Sequence, residues 1–162
     1  MTPRKTMWLS LGLGAAAFAI DRLHKFLQVD VFHWPAGYTR PLLPFLDLTL
    51  TFNTGVSYGL LSALPFFAVA VIVVIALVGL IVWWARATSP LVKAGLSICI
   101  GGAFSNALDR LIYRGVADFF WLHLGDFSFF VFNLADAAIT VGVCLLLLDL
   151  LGVGRHRAAN PA

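Results

Sequence analysis

The chain has 162 residues, of which 60% are hydrophobic and only 12% charged, and its formal net charge is +3. A soluble domain carries roughly 25% charged residues, and a water-soluble core of this size could not absorb so much apolar surface. Four helices of ~20 residues, the length that crosses a ~30 Å hydrocarbon layer, would take up about half of the chain, so one integral membrane domain over 1–162 is expected. The basic residues are not gathered into the stripe or helix that nucleic acid requires.

The first apolar stretch starts near Met7 and meets Asp21. So short a stretch, with Ala17-Phe18-Ala19 near its end, also fits a cleaved signal peptide. Asp21 and Lys25 are spaced i, i+4, however, and can pair on one helical face and carry the helix onward, so a span of about 7–27 is predicted. The clearest span, 64–84, is Leu64 and the uncharged run PFFAVAVIVVIALVGLIVWW, ending in an interfacial Trp83-Trp84 pair. Two more are predicted at 91–111 and 131–151. Arg4 and Lys5, Arg86 and Lys93, and Arg155 and Arg157 all fall on one side of these spans. Positive residues mark the cytoplasmic side, which puts both termini inside and the connections 28–63 and 112–130 outside.

Both outward connections carry strand signals. In FLDLTLTFN, Leu46, Leu48, Leu50 and Phe52 alternate with Asp47, Thr49, Thr51 and Asn53, the period of a strand with one apolar face lying on the membrane. Gly125-Asp126 is suited to turning a hairpin between aromatic-rich arms. The expected fold class is an all-α membrane protein of four transmembrane helices with a small outward-facing β-layer.

The polar residues cluster at the outward ends of the spans, and ionisable groups within a membrane are functional candidates because burying them is costly. Asp21 and Lys25 form one group, equally readable as a structural anchor. Asn106, Asp109 and Arg110, at i, i+3 and i+4, put an amide, a carboxylate and a guanidinium on one helical face; Gly101 and Gly102 let another helix approach it. Helix-to-helix hydrogen bonding is the plain alternative there. Asp118 stands in the otherwise apolar GVADFF, and Asn133 and Asp136 share a face in FNLADAAIT. The topology sets Asp118 and Asp136 at one depth. Two facing carboxylates share a proton, as aspartyl protease chemistry requires, although membrane carboxylates also serve proton-relay transporters. Cys99 and Cys144 read as buried packing residues, and His24, His33, His123 and His156 show no ligand spacing.

Taken together, FNTGVSYG, GGAFSNALDRLIYRGVADF and FNLADAAITVG closely resemble bacterial lipoprotein signal peptidase (signal peptidase II), and the resemblance covers about residues 7 to 152. It implies a membrane aspartyl endopeptidase of the bacterial cytoplasmic (inner) membrane. Such an enzyme removes signal peptides from diacylglyceryl-modified prolipoproteins by cleaving before the lipid-modified Cys, with no metal or other cofactor. The motifs imply Asp118 and Asp136 as the catalytic pair, Asn53 and Gly55 in an outer Asn-x-Gly element, Asn106 and Arg110 lining the substrate site, and Asn133 beside Asp136. Asp21, Lys25 and Asp109 are implied as supporting residues. Substrate prolipoproteins and membrane lipid are the expected partners, and a monomer is expected. The chain departs from the family pattern at Arg22, His24, Val56, Tyr58 and Ser105, positions expected to touch packing and the site's rim. The alternatives are a noncatalytic paralogue that binds lipoprotein precursors and a small proton-coupled transporter.

Overall fold

A computed structural model of the protein describes residues 2–54 and 65–152. Helix α1 (Pro3–Phe26) is opened by Thr2, whose hydroxyl accepts from the Lys5 amide, with Pro3 in the first turn, where a missing N–H is no loss. It runs through Asp21 and Lys25 because both side chains are fully buried and paired, and it ends in a wider π-type turn, Leu27–Val31. The helix is packed along α3 as part of the bundle. Helix α2 (Phe66–Arg86) buries only Val69 and Leu77; a helix apolar all round suits a lipid solvent. Helix α3 (Pro90–Tyr113) is capped by Ser89 and stops at Arg114, whose left-handed backbone (φ 62°) turns the chain away. Helix α4 (Leu134–Leu150) completes the set. Helices α2 and α3 are long and apolar enough to cross a membrane.

The fourth helix begins later than the expected 131. Val131 and Phe132 belong to a strand, and Asn133 caps the helix. An apolar window does not separate a buried strand from a helix, so the boundary had to come from the cap.

The two long connections meet in a single antiparallel sheet of four strands in sequence order: β1 (Thr39–Leu43), β2 (Leu46–Asn53), β3 (Val116–Leu124) and β4 (Phe127–Phe132). Gly125, with φ 55°, turns the β3–β4 hairpin as expected. The alternation in β2 behaves otherwise. A bulge lies between Leu48 and Thr51 in its pairing with β3, and an extra residue reverses which face later side chains meet. Leu50 therefore enters a small core with Ala117 and Phe119. The polar Asp47 and Thr49 are buried as well. Asp47 sits 3.3 Å from the His123 imidazole, and the Thr49 hydroxyl meets that of Thr39 at 3.3 Å.

Helices α1, α3 and α4 cross at small residues. A Cβ on Gly95 would lie 2.7 Å from the Gly142 carbonyl, one on Gly102 would lie 2.6 Å from that of Ala135, and one on Gly101 would strike the Gly14 carbonyl. These crossings draw backbones together, as small residues do in membranes, and bear out the reading of Gly101 and Gly102. Cys99 is buried as expected, but Cys144 is exposed on the outer surface of α4. A helix apolar on every side leaves some of its residues on the outer surface, so burial could not be inferred from the apolar stretch alone.

Candidate active site

The site is built around the first turn of α4. The Asn133 side chain accepts from the Asp136 amide at 2.9 Å, and the Asp136 carboxylate accepts from the Asn133 amide at 3.2 Å. This reciprocal cap satisfies amides that a helix start leaves without partners, and it holds the Asp136 side chain in one place. The Asn133 amide group also donates to Asp118 at 2.6 Å and to the Ala117 carbonyl at 3.3 Å. Asn133 thus touches both aspartates. Its bond to Asp118 joins residues fifteen apart and was not legible from the i, i+3 spacing.

Asp118 lies on β3, opposite Thr51 of β2, and only 3% of it is exposed. Asp118 and Asp136 both line a cavity of about 440 Å³, together with Asn53, Asn106 and Arg110. The apolar wall comes from Val73, Ala76 and Leu77 of α2, Ala103 of α3, Ile139 of α4 and the end of β4. Burial first, and then the charge of Asp136, push the Asp118 carboxyl from 3.8 up to about 7, against hydrogen bonds from Asn133 and Asn53 and the Lys25 charge. Near neutral pH, then, Asp118 holds a proton in a large share of molecules.

The expected Asn106, Asp109 and Arg110 group is divided by the structure. Asn106 and Arg110, four residues apart, face the cavity; Arg110 also donates to the Asn106 carbonyl at 3.0 Å. Asp109 turns the other way with Ser105, which is likewise four residues distant. Asp109 accepts from the Ala117 amide at 3.1 Å and from Lys25 at 2.6 Å, and it pairs with Arg22. Ser105 donates to Asp21 at 2.6 Å. Asp21 takes Lys25 at 2.8 Å and the Ala135 amide at 2.9 Å, so it also anchors the start of α4. Two acids and two cations make this junction neutral, as buried ions must be arranged if they are not to destabilise.

Arg22 and Ser105, expected to touch packing or the site's rim, lie in this buried junction, which is packing. Ser105 carried a signal, since it shares a helical face with Asp109; Arg22 carried none, because its partner lies on another helix. His24 is a packing residue too: its ring lies on Phe119 and Phe120. Asn53 hydrogen-bonds Asp118 and lines the cavity. Gly55, Val56 and Tyr58 fall outside the described residues, as do Arg155 and Arg157.

Comparison with known proteins adds an independent view. The family model for signal peptidase (SPase) II matches residues 13–152. The chain is 42% identical over 152 residues to a lipoprotein signal peptidase of Methylocella silvestris, covering 92% of this chain and 87% of that protein. It is 40% identical over 174 residues to one of Rhodopseudomonas palustris, covering 99% and 100%. Its fold is similar to two solved bacterial membrane enzymes, with a TM-score of 0.79 at 24% identity over 95% of this chain and 94% of the other, and of 0.70 at 25% identity over 88% and 92%.

Proposed function

The chain belongs to the signal peptidase II family, and on that premise we propose that Asp118 and Asp136 are the catalytic pair of an endopeptidase acting on lipoprotein precursors. The observation that carries this reading is two buried carboxylates lining one cavity, one of them pushed up to about 7 by burial and by the other's charge. A pair that holds one proton between two carboxyls has both tools for peptide hydrolysis. The ionised member takes a proton from water as the water oxygen attacks the scissile carbonyl, and the protonated member gives its proton to the developing oxyanion. Arg110, inside the cavity, adds positive charge where negative charge develops.

The cavity also suits the substrate class. Its apolar walls take an extended signal peptide, while Asn53 and Asn106 offer amides to the peptide backbone. The lipid chains on the Cys stay in the bilayer. In this reading all four helices cross the bacterial inner membrane, with both termini cytoplasmic and the sheet on the outer surface, and the protein works as a monomer. A relay transporter would need ionisable groups at successive depths. Here Asp21, Lys25, Asp109, Asp118 and Asp136 crowd one end of the bundle, and Asp149 alone of the described buried acids lies at the other, held by the Ser89 hydroxyl at 2.5 Å.

Cleavage of a diacylglyceryl-modified precursor in detergent or proteoliposomes tests the reading. Asp118→Asn and Asp136→Asn each lose cleavage by ~10³-fold or more while still inserting in membranes. Wild-type turnover by either variant would rule the assignment out, and precursor that binds but is not cut by the wild type would identify a noncatalytic paralogue.

A further inference from the structure

Lys25 is fully buried, and its three N–H bonds meet three acceptors: Asp21 at 2.8 Å, Asp109 at 2.6 Å and the Asn106 side-chain oxygen at 3.0 Å. An ammonium donates and never accepts, so Asn106 turns its carbonyl oxygen toward Lys25. Its amide nitrogen is then left to face Asp136, to which it donates at 2.8 Å. The second Asp136 oxygen accepts from the Asn133 amide at 3.2 Å. Both oxygens of Asp136 therefore receive an N–H, the pattern of a carboxylate, and a proton on either would meet a donor.

Asp118 is placed differently. One oxygen accepts from the Asn133 side chain at 2.6 Å. The Asn53 side chain donates to this carboxyl as well, but these bonds and the Lys25 charge are outweighed by burial and by the charge of Asp136. The charged groups around Asp136 are Asp118 on β3, Arg110 on α3, and Asp21 and Lys25 on α1. Arg110 attracts both carboxylates, Asp118 the more; that pull is opposed by direct donors on Asp136, which the Lys25 junction and the helix cap hold in place.

We propose that Lys25 is a positioning residue that locks the Asn106 amide and so makes Asp136 the ionised member of the pair, leaving the shared proton on Asp118. The inference rests on the catalytic assignment above and divides its roles. Asp136 takes a proton from water as the water oxygen bonds to the scissile carbon, and Asp118 gives its proton to the carbonyl oxygen. When the C–N bond breaks, the amine nitrogen receives the proton held by Asp136. Asp118 takes one hydroxyl proton back as the C=O reforms, and both carboxyls return to their starting states.

Lys25→Met alone would strand two buried acids, so the functional test uses the charge-balanced Asp21→Asn/Lys25→Met variant, which keeps the Arg22–Asp109 pair. It is expected to lower kcat about tenfold and to move the acid limb of the pH–rate profile up by about one pH unit, while KM stays within about twofold. An unchanged acid limb would overturn the proposal. A second measurement on the wild type does not depend on that variant folding. With carbon-13 at the Asp carboxyls and at about pH 5.5, between 3.8 and the value near 7 of Asp118, the resonance missing from Asp118→Asn is the carboxylic acid and that missing from Asp136→Asn is the carboxylate. The reverse order, or a proton shared equally, overturns the division of roles. Cleavage surviving in both Asn variants would instead remove the catalytic assignment itself.

Discussion

The cavity has two kinds of wall. On the side of α3, α4 and β3, backbones meet at glycine crossings and every buried charge of the junction has a partner. On the side of α2, only Val69 and Leu77 are buried, and the polar ties of the helix lie at its far end, where Trp84 donates to Ser10 at 3.2 Å and its carbonyl accepts from Lys93 at 3.0 Å. At the start of α2 the Phe66 ring lies under the Arg114 guanidinium at 5.1 Å. The difference suits the role proposed for each wall. Reacting groups have to be held within about 0.5 Å, which takes packed backbones and saturated hydrogen bonds. A wall that admits a long apolar peptide works better with shallow contacts it can give up.

The largest expected effect compares glycines on the two walls. A Cβ on Gly142 would lie 2.5 Å from the Gly95 carbonyl and 3.1 Å from the Cys99 amide, and would also strike the Cys99 sulfur, whereas one on Gly79 of α2 meets nothing within 4 Å. Backbone atoms cannot step aside, so Gly142→Val forces α3 and α4 apart at a cost of at least ~3 kcal/mol. It should leave little folded protein in membranes, while Gly79→Val accumulates and unfolds like the wild type. Equal accumulation of the two would mean that the crossings do not hold the rigid wall.

A second effect opposes that rigidity. Folded Asp118 keeps its proton to about 7, against 3.8 for an ordinary Asp. Between those values the folded state binds more protons than the unfolded one, so stability is full below about pH 4 and is lost as pH rises through about 7. At about 1.36 kcal/mol for each pH unit, the loss is on the order of 4 kcal/mol. Asp118→Asn removes this dependence. Thermal unfolding in detergent should show a flatter pH profile for the variant, with its advantage over the wild type greatest above pH ~7; parallel profiles would show that Asp118 titrates normally.

The rigid wall was also the more legible one in the sequence. Gly101, Gly102, Asn106, Asn133 and Asp136 stand at helical spacings, and helical spacing is local information. The apolar run of α2 was equally plain as a helix. What lay beyond local spacing was the pairing between elements. The Arg22–Asp109 pair, the Ser105–Asp21 bond and the reach of Asn133 to Asp118 join positions 87, 84 and 15 residues apart. The β2 bulge hid for a related reason: its polar face was assigned by alternation, but the register is set by pairing with β3, a strand more than sixty residues later in the chain. Asn106 and Asp109 illustrate the limit on one helix. At i and i+3 they count as neighbours, yet one faces the cavity and the other faces α1, because a site wall and a helix interface meet along the line between them.

The mildest effect tests the loose wall. Ala76 of α2 and Ala103 of α3 line the same cavity, and a Phe at either position occupies space that a substrate would need. Ala76→Phe adds bulk to a wall with few contacts to disturb, so it should raise KM about tenfold, leave kcat within about twofold and hardly change thermal stability. Ala103→Phe sits beside Gly102, whose added Cβ would lie 2.6 Å from the Ala135 carbonyl, and one turn before Asn106, the donor to Asp136. There the same bulk presses on the crossing and shifts the amide, so kcat should fall together with KM rising. Matching kinetic signatures at the two positions would mean that α2 is as firmly held as α3, and that the peptide enters without moving either wall.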